Sequence, residues 1–297
     1  MKQARSVGKL AGADLAAQRR LCDETGQFIA AVDTDRSPPE NAVALYKIFA
    51  RVLENDDPFA RVKQESNELA LSLKKAVRER IVKADDPLRA AVQAAIGGNI
   101  IDYAAQHVFD AVQTMQDCFA REFAVDEYEA LLQAVGSSRN VLYLCDNCGE
   151  IVFDSLLIEQ LHRCGCEVTA AVRGGPIIND ATLADARACG LDRVCQVISS
   201  GVICPGTPLT WCSDEFRAHF QAAELIISKG MGNFETLSET AAPLFFLFTV
   251  KCGQVARHLT GRLYLDASVL TGSGEMVLLR QNMVPKHQTN DYEQAEH

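Results

Sequence analysis

Asp146 and Asn147 stand where an apolar run, residues 141–145, stops abruptly. Gly149 and Glu150 follow, and then an amphipathic segment over 151–163. This is the pattern of a buried strand, a tight turn and a helix start. Ligands of open α/β sheets bind at the carboxyl ends of the strands. A carboxylate and a carboxamide placed there offer hard oxygen ligands of the kind Mg²⁺ and Mn²⁺ take. An Asp-Asn pair also makes an ordinary turn or helix cap, so the reading depends on what arrives beside it. A second apolar run, 167–172, leads through Gly174 and Gly175 to Asn179 and Asp180. With the intervening helix it forms a βαβ unit, whose strands lie parallel, so Asp180 reaches the same sheet edge. A third run, 224–227, ends in Ser228-Lys229-Gly230-Met231-Gly232-Asn233-Phe234-Glu235. A lysine and two glycines after a strand suit a phosphate held by an ammonium and backbone N–H groups.

These residues need elements to carry them. From residue 140 onward, short apolar runs alternate with amphipathic segments, with candidate strands at 141–145, 167–172, 194–198, 224–227, 244–250 and 275–279. That alternation reads as α/β with a largely parallel sheet. Residues 1–136 read as helical, with helices near 39–53, 58–83, 87–97, 105–121 and 126–136. Ser37-Pro38-Pro39-Glu40, Asp56-Asp57-Pro58 and Asp85-Asp86-Pro87 supply three helix starts. Leu69, Leu73, Val77 and Ile81 recur every four residues as a core-facing stripe. The expected organisation is a helical N-terminal domain over 1–138 and an α/β metal- and phosphate-binding domain over 139–297, with a frayed polar tail from Gln281. Gly97-Gly98-Asn99-Ile100-Ile101-Asp102 interrupts the helical part with two glycines and puts Asn99 and Asp102 on one helix face. The segment is expected to loosen there and to form the wall opposite the metal edge.

Composition narrows the function. A hydrophobic share of 48% fits a globular chain with a large core. A net charge of −10 argues against nucleic acid, because a phosphate backbone needs a basic face. The longest apolar stretch, 241–250, is too short to span a bilayer. No basic, apolar signal segment opens the chain, so a cytoplasmic location is expected. The 11 cysteines are odd in number, which points to reduced thiols acting as small core residues rather than a disulfide framework.

The motifs, taken together, resemble the damage-control phosphatases, also described as domain of unknown function 89. They are Glu65-Ser66-Asn67-Glu68-Leu69-Ala70, Gly98 to Asp102, Asp146-Asn147-Cys148-Gly149-Glu150, Asn179-Asp180-Ala181-Thr182 and Lys229 to Glu235. They occur in family order, and the nearest branch is the short prokaryotic one. The resemblance implies a helical part packed on a Rossmann-like α/β/α sandwich and metal-dependent hydrolysis of phosphomonoesters of small metabolites, such as sugar phosphates, nucleotides or damaged phosphometabolites. The cation it implies is Mn²⁺, Mg²⁺, Co²⁺ or Ni²⁺. It places the metal ligands at Asp146, Asn147 and Asp180, the phosphate-contacting lysine at Lys229, and a segment facing the site at Asn99 and Asp102. Members of that branch usually open with a Cys-x-x-Cys pair, and no such pair precedes Cys22 here.

The expected catalytic set is therefore Asp146, Asn147, Asp180 and Lys229. Asn99, Asp102, Glu150, Gly230, Gly232, Asn233 and Glu235 are expected around the substrate. Glu150 and Glu235 are both candidate general bases. Phosphoryl transfer could use water in line, or Asp146 as nucleophile with a phospho-aspartate. Haloacid-dehalogenase-type phosphatases carry a second Asp two residues after the first, where this chain has Cys148, so attack by water is the expectation. The alternative of a different class is a nucleotide- or phosphometabolite-binding protein without catalysis.

Overall fold

The computed structural model describes residues 1–104 and 108–281, with the side chains of 100–112 and of 114 left aside. The expected tail beyond Gln281 lies outside the described residues. Helices α1 (Lys2–Leu10), α2 (Leu15–Ala30), α3 (Pro38–Leu53), α4 (Ala60–Val82), α5 (Pro87–Ala104) and α6 (Val108–Ala120) come first. Ser37 and Glu40 close a capping box at the start of α3. Asp86 accepts from Arg89 N at 3.0 Å and caps α5. The start near Asp57 falls two residues later than the sequence suggests; Asp57 accepts from Phe59 N at 3.2 Å in the turn before the helix and pairs with Lys63 at 2.7 Å.

The glycine pair does not loosen α5. The helix runs unbroken through Gly97 and Gly98. A Cβ at Gly97 would lie 2.6 Å from Cys118 Sγ on α6, and one at Gly98 would lie 2.8 Å from Phe153 Cδ2. These glycines let three helices approach closely, and packing outweighs their weak helix propensity.

The remaining elements are β1 (Val125–Asp126), α7 (Tyr128–Ser137), β2 (Asn140–Leu144), α8 (Glu150–Arg163), β3 (Glu167–Val172), α9 (Leu183–Ala188), β4 (Gln196–Ser199), α10 (Asp214–Ala222), β5 (Leu225–Lys229), α11 (Met231–Leu237), β6 (Leu244–Val250), α12 (Gly253–Leu263) and β7 (Glu275–Arg280). They build a mostly parallel sheet in the order β1-β7-β6-β5-β2-β3-β4, in which only β6–β7 is antiparallel. The six expected strands are all present. The short β1 adds a seventh from within the stretch read as helical, where it pairs with β7.

Period-two alternation sorts side chains between the two faces. Val141, Tyr143, Leu225 and Ile227 pack with α8 and with α4–α6, whereas Leu142, Leu144 and Ile226 pack with α10–α12. One core thus runs across residue 138, joining Leu73, Val77 and Ile81 to Phe153 and Leu157. The chain passes from β2 outward to β3 and β4, then returns to place β5 on the other side of β2. That reversal opens a crevice at the carboxyl ends of β2 and β5, the usual ligand position of such sheets. No helix among the described residues is long and apolar enough to cross a membrane.

Candidate metal and phosphate site

The loops after β2 and β3 are stitched together by backbone hydrogen bonds. Ala181 N donates to Asp146 O at 2.8 Å, and Cys148 N donates to Asn179 O at 2.8 Å. Asn147 and Asp180 face each other in an isolated antiparallel bridge. The expected convergence of Asp146, Asn147 and Asp180 is therefore built into the main chain. The turn that follows is held by the helical layer. Gly149 adopts φ +78°, and its N–H donates to Asn67 Oδ1 at 2.6 Å. A side chain there would crowd Ser66 O at 3.1 Å. The Ser66-Asn67 motif on α4 thus acts as a clamp on the Asp146 loop.

Arg173 is one of two residues, with Lys251, that the sequence did not single out. It follows directly on β3 and is 3% exposed. Its Nε donates to Asp180 Oδ2 at 2.7 Å, and one terminal nitrogen approaches Asp146 Oδ1 at 3.5 Å. The other terminal nitrogen donates to Gly206 O, Thr207 Oγ1 and Asn233 Oδ1, each at 3.0 Å. The available signal was its position, a lone cation closing an apolar run at the functional edge. Burial, with the nearby charges of Asp180 and Glu150, raises the Asp146 carboxyl well above its ordinary range despite Arg173 and Lys229. Burial likewise pushes Asp180 up to about 6, against the pull of Arg173.

Lys229 is fully buried and sits beneath the cleft. Its parity with Leu225 and Ile227 points it into the α8 layer, where its ammonium donates to Ala95 O at 2.9 Å, to Asp154 Oδ1 at 2.8 Å and to Glu150 Oε1. An ammonium has three donors, and all three are used. In this arrangement none is left for the phosphate that the sequence led us to expect on Lys229. Burial pulls its pKa down, but Asp154 and Glu150 more than offset this and hold it above the ordinary lysine value. Glu150 is 1% exposed. Its Oε2 accepts from Asn99 Nδ2 at 2.8 Å and from Asn147 Nδ2 at 3.2 Å. It has no oxygen turned to substrate in the manner of a general base.

Asn99 lines a cleft of about 270 Å³ together with Asp146, Asn147 and Asp180. The expected wall from α5 is thus present at Asn99, although its amide bonds into the α/β layer at Glu150 and its carbonyl oxygen accepts from Thr249 at 3.4 Å. The Asp102 side chain lies outside the described residues. Gly230 and Gly232 also line the cleft, and both are required sterically. A Cβ at Gly230 would fall 2.0 Å from Asp146 Oδ2, and one at Gly232 would fall 1.7 Å from Pro205 O. Asn233 is fully buried and braces the loops, accepting from Thr207 Oγ1 at 2.7 Å and donating to Lys229 O at 2.7 Å. Glu235, half-buried on α11, is not part of the cleft wall; burial pushes its carboxyl up to about 7. Among the described residues, Lys251, exposed just after β6, also lines the cleft and donates to Asn99 O at 2.7 Å. Ile178, Met231, Phe248 and Val255 supply apolar wall.

Among the described residues, no three His, Cys, Asp or Glu side chains form a group able to hold a metal. The donor set at the cleft is two carboxylates and one carboxamide. All 11 cysteines are free thiols, and most are buried.

This geometry has relatives. The profile of the damage-control phosphatase ARMT1-like domain matches residues 1–264. A damage-control phosphatase of Pyrococcus horikoshii is 36% identical over 261 residues, covering 86% of this chain and 90% of that protein. A damage-control phosphatase of Archaeoglobus fulgidus is 37% identical over 232 residues, covering 75% of this chain and 80% of that protein. A crystal structure of a DUF89 family protein from Pyrococcus horikoshii has a TM-score of 0.81 and 33% identity, covering 94% of this chain and 95% of that chain. The profile match, the identity over most of the chain and the shared fold agree, and the chain belongs to the damage-control phosphatase ARMT1-like family.

Proposed function

We propose that this chain is a metal-dependent phosphomonoesterase acting on a small phosphorylated metabolite. The observation that carries the reading is the cleft itself, which Asp146, Asn147, Asp180 and Lys251 all line. The donor set fits a hard divalent cation such as Mg²⁺ or Mn²⁺, since it consists of oxygens alone. Two buried carboxylates whose pKa values burial raises would also gain from a divalent cation, which would offset the cost of charging them there. When bound, such a cation supplies Lewis-acid polarisation of a phosphoryl group.

The chain's own residues do the remaining work. Arg173 donates to Asp180 and approaches Asp146 at longer range, which favours their charged forms against the burial that raises both carboxyls. Lys251 draws the phosphate dianion to the open side and offsets charge on its oxygens. Ile178, Phe248 and Val255 exclude water around the ester carbon skeleton. A volume near the small end of the usual range for ligand sites, about 300–1,000 Å³, suits a sugar-phosphate-sized substrate. The names of the relatives from Pyrococcus and Archaeoglobus support phosphatase activity.

The test is release of inorganic phosphate from p-nitrophenyl phosphate and from a panel of phosphometabolites, with Mn²⁺, Mg²⁺, Co²⁺ or Ni²⁺ added after chelation. Activity should require the cation, fall below detection in Asp146→Ala and Asp180→Ala, and show a raised KM in Lys251→Ala. Phosphometabolite binding with no phosphate release under any cation would favour a non-catalytic binding protein.

A further inference from the structure

Asn147 donates through Nδ2 to Asp146 Oδ2 at 2.7 Å and to Glu150 Oε2 at 3.2 Å. A carboxamide has two N–H donors on one end and a carbonyl oxygen on the other. With both donors spent on carboxylates, the carbonyl oxygen is left for the cleft that Asn147 lines. The reverse orientation would set that oxygen against two carboxylate oxygens.

The partner that enforces this, Glu150, is itself held at both oxygens. Lys229 takes Oε1, and Asn99 donates to Oε2 at 2.8 Å. Lys229 is anchored in turn by Ala95 O and by Asp154, whose Oδ1 also accepts from Tyr143 OH at 2.6 Å. Tyr143, Asp154, Lys229 and Glu150 are each at most 1% exposed, so none of them touches a substrate in the cleft. The chain of contacts runs from the middle of β2 to one ligand of the site.

From this we infer that Lys229 and Glu150 are positioning residues. They set the orientation of the Asn147 carboxamide, and with it the oxygen offered to a divalent cation. This rests on the cation site proposed above. Hydrogen-bonded partners behind a metal ligand typically change metal affinity by roughly 10- to 100-fold when altered. A glutamine at 150 can keep an oxygen on Lys229, but it then presents an amide N–H₂ to the N–H₂ of Asn147, which turns that carboxamide over.

The experiment measures Mn²⁺ binding to metal-free protein by electron paramagnetic resonance and calorimetry, with no substrate present. The proteins are wild type, Asp146→Ala, Glu150→Gln, Asn147→Asp and the double variant Glu150→Gln/Asn147→Asp, each checked for a cooperative melt. Mn²⁺ should bind wild type and be lost in Asp146→Ala. Glu150→Gln should weaken binding by roughly 10-fold or more. Asn147→Asp alone adds a third carboxylate beside Asp146 and Glu150 and should lower the melting temperature. The double variant should recover Mn²⁺ binding relative to Glu150→Gln, because an Asp oxygen can accept from the new amide while the other oxygen faces the cleft. Wild-type affinity in Glu150→Gln, or no recovery in the double variant, overturns the positioning role alone. Absence of Mn²⁺ binding to wild type overturns the cation site and the role together.

Discussion

Arg173 Nε donates to Asp180 Oδ2 at 2.7 Å while the far side of the same guanidinium approaches Asp146 Oδ1 at 3.5 Å. A cation from the end of β3 therefore faces carboxylates from two loops, and all three groups are buried. Removing one partner of a buried ion pair costs about 3–5 kcal/mol, because the other charge is left without compensation. Arg173→Met should lose stability of that order in urea denaturation of metal-free protein. Arg173→Lys should recover little, since one ammonium cannot reach Asp180, Gly206, Thr207 and Asn233 together. Added Mn²⁺ should return part of the loss to Arg173→Met, because a ligand that binds only the folded chain stabilises it. A loss under about 1 kcal/mol, the scale of an exposed pair, would mean that the guanidinium does not hold the carboxylates together.

Gly97 and Gly98 set the approach of α5 to α6 and α8. In an open helix, alanine would be favoured over glycine by about 1 kcal/mol. Here the added methyl at Gly97 would meet Cys118 Sγ at 2.6 Å, and at Gly98 it would meet Phe153 Cδ2 at 2.8 Å. Overpacking of this kind costs about 1–3 kcal/mol. Both alanine variants should be less stable than wild type in denaturant titration. A rise in stability at either position would show that the helices have room to separate.

The strands and the edge that gathers Asp146, Asn147 and Asp180 were legible because short apolar runs and turn residues encode them locally. Asp146, Asn147 and Asp180 could be placed at one edge from βαβ topology alone. Lys229 shows where that reasoning stopped short. Its position after a strand suggested a phosphate clamp, yet its parity with Leu225 and Ile227 already directed it into the α8 layer. There Glu150 and Asp154, four apart on α8, make a matching pair of acceptors. Gly97 and Gly98 were read as a helix break because propensity is local, whereas the need for close approach comes from Cys118 and Phe153, which are remote in sequence. Arg173 and Lys251 went unread because a single cation at a strand end becomes informative only when the strand order is known.

Glu235 offers a pH test independent of the proposed metal ligands. Burial raises its carboxyl to about 7, from an unfolded value of 4.5. The folded protein then holds this proton to a higher pH than the unfolded chain does. Stability is therefore lost as pH rises through that window, and the cost is fully present above it. Glu235→Gln should melt higher than wild type at about pH 8, and the difference should vanish towards about pH 4.5. If wild type instead gains stability over the variant as pH rises, the carboxylate has a favourable partner when charged.

Gly230 is where backbone and site chemistry meet most closely. It adopts φ +79°, in the left-handed region that favours glycine. A Cβ there would stand 2.0 Å from Asp146 Oδ2, well inside any permitted contact. Alanine must therefore either push the Asp146 carboxylate away or move the turn between β5 and α11. Both displace a donor of the proposed cation site, so Gly230→Ala should lose phosphatase activity and Mn²⁺ binding together. Gly261 is the control. It lies on α12 with nothing within 4 Å of its Cβ position. Gly261→Ala should keep both properties and gain up to about 1 kcal/mol from helix propensity. Comparing the two variants separates the general effect of a glycine-to-alanine change from the specific contact with Asp146. Normal Mn²⁺ affinity in Gly230→Ala would show that the Asp146 carboxylate has freedom to move without loss of the site.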